Sequence, residues 1–295
     1  MDKAMRGSAS IILPDAISSH EDVERLKAAS REERSPCGEG SLAWRIWGAG
    51  GEPVVLLHGG SGSWFHWSRN IAALVRAGRT VYVPDLPGCG ESSLPPVGFD
   101  ADAHTEWVLL GLDQLLGSSA EYDLVGFSFG SMVATFVAVQ SPSRVRRLVL
   151  IGAPALSATP GPRVELTAWR ALPPGPEVRK ALKHNLRAIM FARDESIEDF
   201  VVDFYGADAQ RDRIPNRQLY KTDILLRQMP QLRCPVWGIW GAQDALLRGC
   251  IETVMDGLSH APRFQSMTLI PRAGHWVQFE SPERFDQALL QALHG

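Results

Sequence analysis

"YDLVGFSFGSMVATFVAVQ", residues 122–140, decides how this chain is read. Apart from Asp123, its first six residues are apolar, aromatic or glycine, as in a short strand buried on both faces of a sheet. Ser128 follows, set between Gly126 and Gly130, and the twelve residues after it read as an apolar helix. A strand, a sharp turn and a helix hold the Ser128 side chain out at the carboxyl edge of a parallel sheet. Open α/β sheets bind their ligands at that edge. The helix also points its free N–H groups and positive dipole end at the same spot, which favours developing negative charge. The pattern G-x-S-x-G is short and weak alone, so the rest of the chain must support it.

The same alternation extends outward in both directions. "SLAWRIWG" (41–48), "PVVLLHGG" (53–60), "TVYVPDLPG" (80–88) and "VRRLVLIGAP" (145–154) read as strands. "SWFHWSRNIAALVRAG" (63–78) and "HTEWVLLGLDQLLG" (104–117) show helical spacing with glycine stops. Strands alternating with helices mean βαβ units and a mostly parallel sheet, the α/β class. The rhythm breaks over 155–232, which is rich in Pro, Arg and helix formers and has no convincing buried strand. It resumes with "CPVWGIWG" (234–241), "RFQSMTLIP" (263–271) and a closing helix "SPERFDQALLQALHG" (281–295). The expected organisation is an α/β core at 41–154 and 233–295, a mostly helical insertion at 155–232, and an N-terminal extension at 1–40. Residues 14 to about 34 of that extension are charged and helix-prone, and are expected as a peripheral helix or a partly ordered extension.

A chain of 295 residues buries enough surface for a full core without disulfide staples. Its net charge of −3, with no run of five like charges, leaves no footprint for nucleic acid or an anionic membrane. The cluster Ile11-Ile12-Leu13 is too short for a signal-peptide core, and no apolar run reaches a membrane span. Cys37, Cys89, Cys234 and Cys250 form no C-x-x-C pair and fit neither a zinc site nor a compact disulfide framework. A cytoplasmic protein with reduced thiols is expected, acting on a small molecule without metal or organic cofactor.

A serine hydroxyl needs a base to become a nucleophile. His275, in "PRAGHWVQFE", follows the strand at 263–271 and so lies at a strand's carboxyl end. The imidazole needs a carboxylate to fix its tautomer, and Asp244 in "WGAQDAL" follows the strand at 234–241. The glycine-rich turn "LLHGGSG" (56–62) suits an oxyanion hole. Gly60 N–H is the first choice of donor, with Gly59 or Ser61 as register alternatives, and Phe129 N–H is the second donor. His58 is read as a brace for this loop, Asp85 as a turn stabiliser and Cys89 as structural. Trp64 is read as helix packing by default, with a pocket wall as the alternative.

Four motifs agree in order: "HGGSG", "DLPGCGES" (85–92), "GFSFG" and the Asp244/"GHW" pair. On them the chain resembles an α/β-hydrolase-fold protein with a helical cap, over about residues 41 to 294. The resemblance implies that 155–232 is the cap and that the substrate pocket lies beneath it. Ser61, Trp64, Phe127, Tyr205 and Trp276 are the residues expected at that pocket. "HGGSG" and "GHW" are also similar to the carbon–carbon hydrolases that split ring-fission dienoates. Those enzymes carry Asn before the nucleophile, where Phe127 stands, and use a cap arginine where Tyr205 stands, leaving Arg187 or Arg193 to substitute. The haloalkane dehalogenases and epoxide hydrolases, similar in fold, place Asp at the nucleophile. The expected reaction is therefore carboxylic-ester hydrolysis through an acyl-enzyme. Carbon–carbon cleavage is the alternative, followed by an amide, lactone or thioester substrate. A non-catalytic small-molecule receptor on the same fold is the reading from another class.

Overall fold

The computed structural model describes residues 13–158, 162–247 and 249–294. Within them the apolar runs lie side by side in one sheet of eight strands. These are β1 (Arg31–Cys37), β2 (Gly40–Trp47), β3 (Pro53–Leu57), β4 (Thr80–Pro84), β5 (Tyr122–Phe127), β6 (Val145–Ile151), β7 (Val236–Gly241) and β8 (Phe264–Ile270). Their order is β1-β2-β4-β3-β5-β6-β7-β8. The pairs β1–β2 and β2–β4 are antiparallel and the remaining pairs parallel. The chain thus has the α/β-hydrolase fold, with helices on both faces of a mostly parallel sheet.

Successive residues of a strand point to opposite faces, and the core divides accordingly. Val54 and Val125 join one apolar cluster with Trp47, Phe65, Phe279 and Phe285. Their neighbours Val55 and Leu124 join the other, with Trp44, Leu112, Met132 and Leu258. The helices that cover these faces are α1 (His20–Ala28), α2 (Ile71–Arg76), α3 (Ala101–Leu116) and α4 (Phe129–Gln140). After the insertion come α8 (Ile251–Ser259), α9 (Val277–Glu280) and α10 (Pro282–His294). Asp123 is the exception in the buried β5. Its carboxylate meets the guanidinium of Arg79 and those of Arg146 and Arg147, each at 3.3 Å, so no charge is buried alone.

Between β6 and β7 the described residues form helices and turns. The main ones are α5 (Pro176–Asn185), a π-helical turn (Leu186–Met190), α6 (Asp199–Arg211) and α7 (Ile224–Gln228). Two expectations need correction. The charged stretch 14–34 is not one helix, because α1 ends at Ala28 and Arg31–Cys37 pairs with β2. Charged residues on a sheet edge discourage further pairing, and here they mask the strand signal. The first twelve residues of the expected extension lie outside the described residues. The stretch 63–78 is also split, into a 3₁₀ turn (Trp64–Trp67) and α2. At the break, the Asn70 amide donates to the Gln278 carbonyl (2.9 Å) and to Asp286 (2.8 Å).

Candidate active site

Ser128 closes β5 and opens α4 with φ 52° and ψ −116°, a backbone that L-residues avoid. Its surroundings hold it there. Ser128 N–H donates to the Ile151 carbonyl at 2.7 Å. The Ser131 hydroxyl donates to the Gly126 carbonyl (2.6 Å) and accepts Ile151 N–H (3.2 Å). A β-carbon on Gly126 would sit 2.5 Å from the Gly130 oxygen, and one on Gly130 2.3 Å from the Leu57 oxygen. The two glycines therefore let β3, β5 and α4 close to backbone contact.

Asp244 follows β7 and His275 follows β8, so both reach the same carboxyl edge as Ser128. Asp244 Oδ2 lies 2.7 Å from His275 Nδ1, and its other oxygen accepts Leu246 N–H at 2.8 Å. The pair is almost wholly buried. An Nδ1 that donates to the carboxylate leaves Nε2 as the proton acceptor, the tautomer a serine nucleophile needs. Gly152, just past β6, is pressed against this pair. A β-carbon there would stand 2.8 Å from His275 Cε1. Ser128, Gly152, Asp244 and His275 thus come from the ends of four adjacent strands.

The loop 58–62 is braced by two neutral histidines. His58 donates from Nδ1 to the Gly59 carbonyl (2.7 Å) and accepts Leu86 N–H at Nε2 (2.8 Å). Burial pushes its pKa down to about 4. Gly59 N–H is taken by His66 Nδ1 at 3.1 Å, which removes Gly59 from the oxyanion candidates. Among the described residues, the N–H groups of Gly60 and Phe129 have no hydrogen-bond partner. The two residues are neighbours in space, since a β-carbon on Gly60 would be 3.8 Å from Phe129 Cβ.

The α/β hydrolase family model matches residues 54–288. The chain belongs to the α/β hydrolase family. It is 31% identical, over 88% of its length and 69% of the relative's, to a dihydrolipoyllysine-residue acetyltransferase component of an acetoin cleaving system from Pseudomonas putida. It is 30% identical, over 83% of its length and 88% of the relative's, to a 2-hydroxy-6-oxononadienedioate/2-hydroxy-6-oxononatrienedioate hydrolase from Paraburkholderia phymatum. In fold it resembles the 2-hydroxy-6-oxo-6-phenylhexa-2,4-dienoate hydrolase of Rhodococcus sp. strain RHA1, with TM-score 0.73 and 21% identity over 90% of this chain and 99% of that one.

In this α/β hydrolase the residues expected at a pocket fall in different places. Phe127, Trp64 and Trp276 are interior packing residues. Phe127 backs His275 (ring centroids 5.0 Å), Trp64 meets Trp47 (5.6 Å), and Trp276 meets Phe279 (4.4 Å) and His66 (4.7 Å). Tyr205 is half-buried on α6, and burial pushes its phenol up. Ser61 donates to Asp212 at 2.5 Å. Neither suggested substitute arginine joins the site, for Arg187 pairs with Asp194 (2.5 Å) and Arg193 with Glu280 (3.5 Å). Asp85 accepts the N–H groups of Trp64 and Glu91, both at 2.9 Å, as a turn stabiliser does. Cys89 is buried, and burial pushes its thiol up. A groove of about 640 Å³ opens between Trp169, Val178 and Val202 of the insertion, and none of Ser128, Asp244 and His275 lines it.

Four residues of the site were not singled out from the sequence. His66 reads in the sequence only as a histidine in a helical or connecting stretch, a poorer base than His275. Arg217 lies over the Phe129 ring (4.9 Å) and would be 3.9 Å from a β-carbon on Gly60. It grips Asp212 through two bonds of 3.0 and 2.9 Å. Burial opposes ionisation of Asp212, but the bonds from Arg217 and Ser61 outweigh it and hold the carboxyl below its ordinary range. Glu280, fully buried, accepts the N–H groups of Gly274 (2.6 Å), Ala192 (3.0 Å) and Arg193 (2.8 Å). With the bond from Trp276 N–H to the Met190 carbonyl (2.8 Å), it docks the insertion onto the His275 loop. Among the described residues, no group of three His, Cys, Asp or Glu side chains is placed to hold a metal ion.

Proposed function

We propose that this α/β hydrolase cleaves the bond beside a substrate carbonyl through Ser128, and that its substrate is an acidic dienoate ketone hydrolysed at a carbon–carbon bond. The observation that carries the chemistry is the 2.7 Å bond from His275 Nδ1 to Asp244, at the strand edge that also presents Ser128. Ser128 Oγ forms a bond to the carbonyl carbon as its proton passes to His275 Nε2. The oxyanion takes the free N–H groups of Gly60 and Phe129. As the tetrahedral centre collapses, the bond to the leaving group breaks and His275 returns its proton to that group. Water, deprotonated by His275, then hydrolyses the acyl-enzyme.

The substrate class rests on the relatives. One at 30% identity, matched over 88% of its own length, is a hydrolase of 2-hydroxy-6-oxo-dienedioates. A carbon leaving group must depart as a delocalised enolate, and such a dienoate supplies that conjugation. The Arg217 guanidinium also stands beside the oxyanion loop, although Tyr205 occupies the position where the sequence suggested an arginine. Ester hydrolysis is the second reading, and Phe127 favours it. A phenyl ring directly before the nucleophile offers none of the hydrogen bonds an Asn amide would give a polar substrate.

The test is a parallel assay of 2-hydroxy-6-oxo-6-phenylhexa-2,4-dienoate and p-nitrophenyl esters of several chain lengths. The proposal expects the dienoate to have the higher kcat/KM, fluorophosphonate to label Ser128, and Ser128→Ala to abolish both. A higher value for an ester moves the assignment to the second reading. Undiminished turnover by Ser128→Ala sinks both.

A further inference from the structure

His66 touches the oxyanion loop and the residues that flank Ser128 and His275. Its Nδ1 accepts Gly59 N–H at 3.1 Å, one residue before the Gly60 donor. The oxyanion loop wraps around its ring, for a β-carbon on Gly62 would lie 2.2 Å from His66 Cε1. The ring packs edge-on against Phe127 (5.3 Å), which precedes the nucleophile, and against Trp276 (4.7 Å), which follows the base. Its own carbonyl accepts Trp276 Nε1–H at 3.0 Å. Burial, together with His58 and His275 nearby, holds His66 well below the ordinary histidine pKa, so Nδ1 stays free to accept.

We propose that His66 is a positioning residue for the oxyanion site: by taking the Gly59 N–H it fixes the turn that leaves the next N–H, of Gly60, free for the substrate oxygen. This rests on the reading of Ser128 as nucleophile. A merely space-filling ring would explain the contacts with Phe127 and Trp276. It would not explain why the ring presents an acceptor to a buried N–H that would otherwise go unpaired. Without that bond the loop keeps its glycines but loses the constraint that separates one N–H from the next. An oxyanion donor works only when it is aimed before the reaction begins.

Two variants separate acceptor from ring. His66→Phe keeps a ring and removes the acceptor. His66→Asn removes the ring and places Oδ1 near the former Nδ1. Both are compared with wild type on a substrate whose turnover depends on Ser128, with thermal unfolding as a check on folding. The expectation is that His66→Phe loses about tenfold or more in kcat, with KM within about threefold, the pattern of a donor lost in the transition state. His66→Asn restores kcat to within about threefold of wild type. Affinity for a boronic acid that forms a tetrahedral adduct on Ser128 falls in His66→Phe in step with kcat/KM. Full kcat in His66→Phe, or equal loss in both variants, overturns the proposal. If Ser128→Ala keeps its turnover, it is the nucleophile assignment that has failed.

Discussion

Gly152 measures how closely the site is packed at the level of one residue. Its φ of 54° and the 2.8 Å from its absent β-carbon to His275 leave room for hydrogen alone. Gly152→Ala must therefore push His275 off Asp244 or strain the end of β6. We expect kcat/KM to fall by about a hundredfold while circular dichroism stays native, since misplacing a catalytic group by about 1 Å has that effect. Wild-type activity in that variant would mean that His275 moves freely. The sequence reached Ser128, Asp244 and His275 because each follows a strand in a chain order that alternation made visible. Gly60 and Phe129 became candidate donors for the same reason. His66 and Arg217 were not. The role of His66 depends on how a five-residue turn curls back, and that of Arg217 on where the end of the insertion comes to rest.

Single elements show where that legibility stops. Central strands such as "PVVLL" and "TVYVP" are apolar because both faces are covered, and they declare themselves. β1 carries "REER" at an exposed edge and looks like helix or loop. The insertion was readable as helical, but its contacts with the core were not. One of those contacts bears a pH signature. Asp208 on α6 is fully buried and accepts the Ser63 hydroxyl at 2.7 Å, and burial pushes its carboxyl up to about 8. Between about pH 4 and 8 the folded protein holds a proton there that the unfolded chain has released. Its contribution is thus complete below pH 4 and is lost as pH rises through 8, at no more than about 1.4 kcal/mol per pH unit. Asp208→Asn removes this dependence. Urea unfolding from pH 5 to 9 should show the variant gaining on wild type with each step and levelling off above pH 8. Parallel profiles would contradict an acid held protonated between α6 and the core.

The molecule as a whole separates stability from chemistry along its strands. Asp123 and its arginines stand near the amino end of β5, and Ser128 follows its carboxyl end. Five residue steps of extended chain, about 17 Å, separate them. Asp123→Ala leaves three guanidiniums converging without the buried carboxylate between them, with only the exposed Glu52 still paired to Arg79 and Arg146, and should cost about 3 kcal/mol in unfolding free energy. Turnover per folded molecule should stay unchanged, and a matching loss of kcat would show the two ends to be coupled. At the other end, fold and reaction make opposite demands on Ser128. Its left-handed backbone is one that glycine adopts without strain. Ser128→Gly should be inactive and yet unfold about 2 °C higher than wild type, while Ser128→Ala should show no such gain. Selection of this protein for heat resistance alone, with activity left unscreened, would thus discard the serine proposed as its nucleophile.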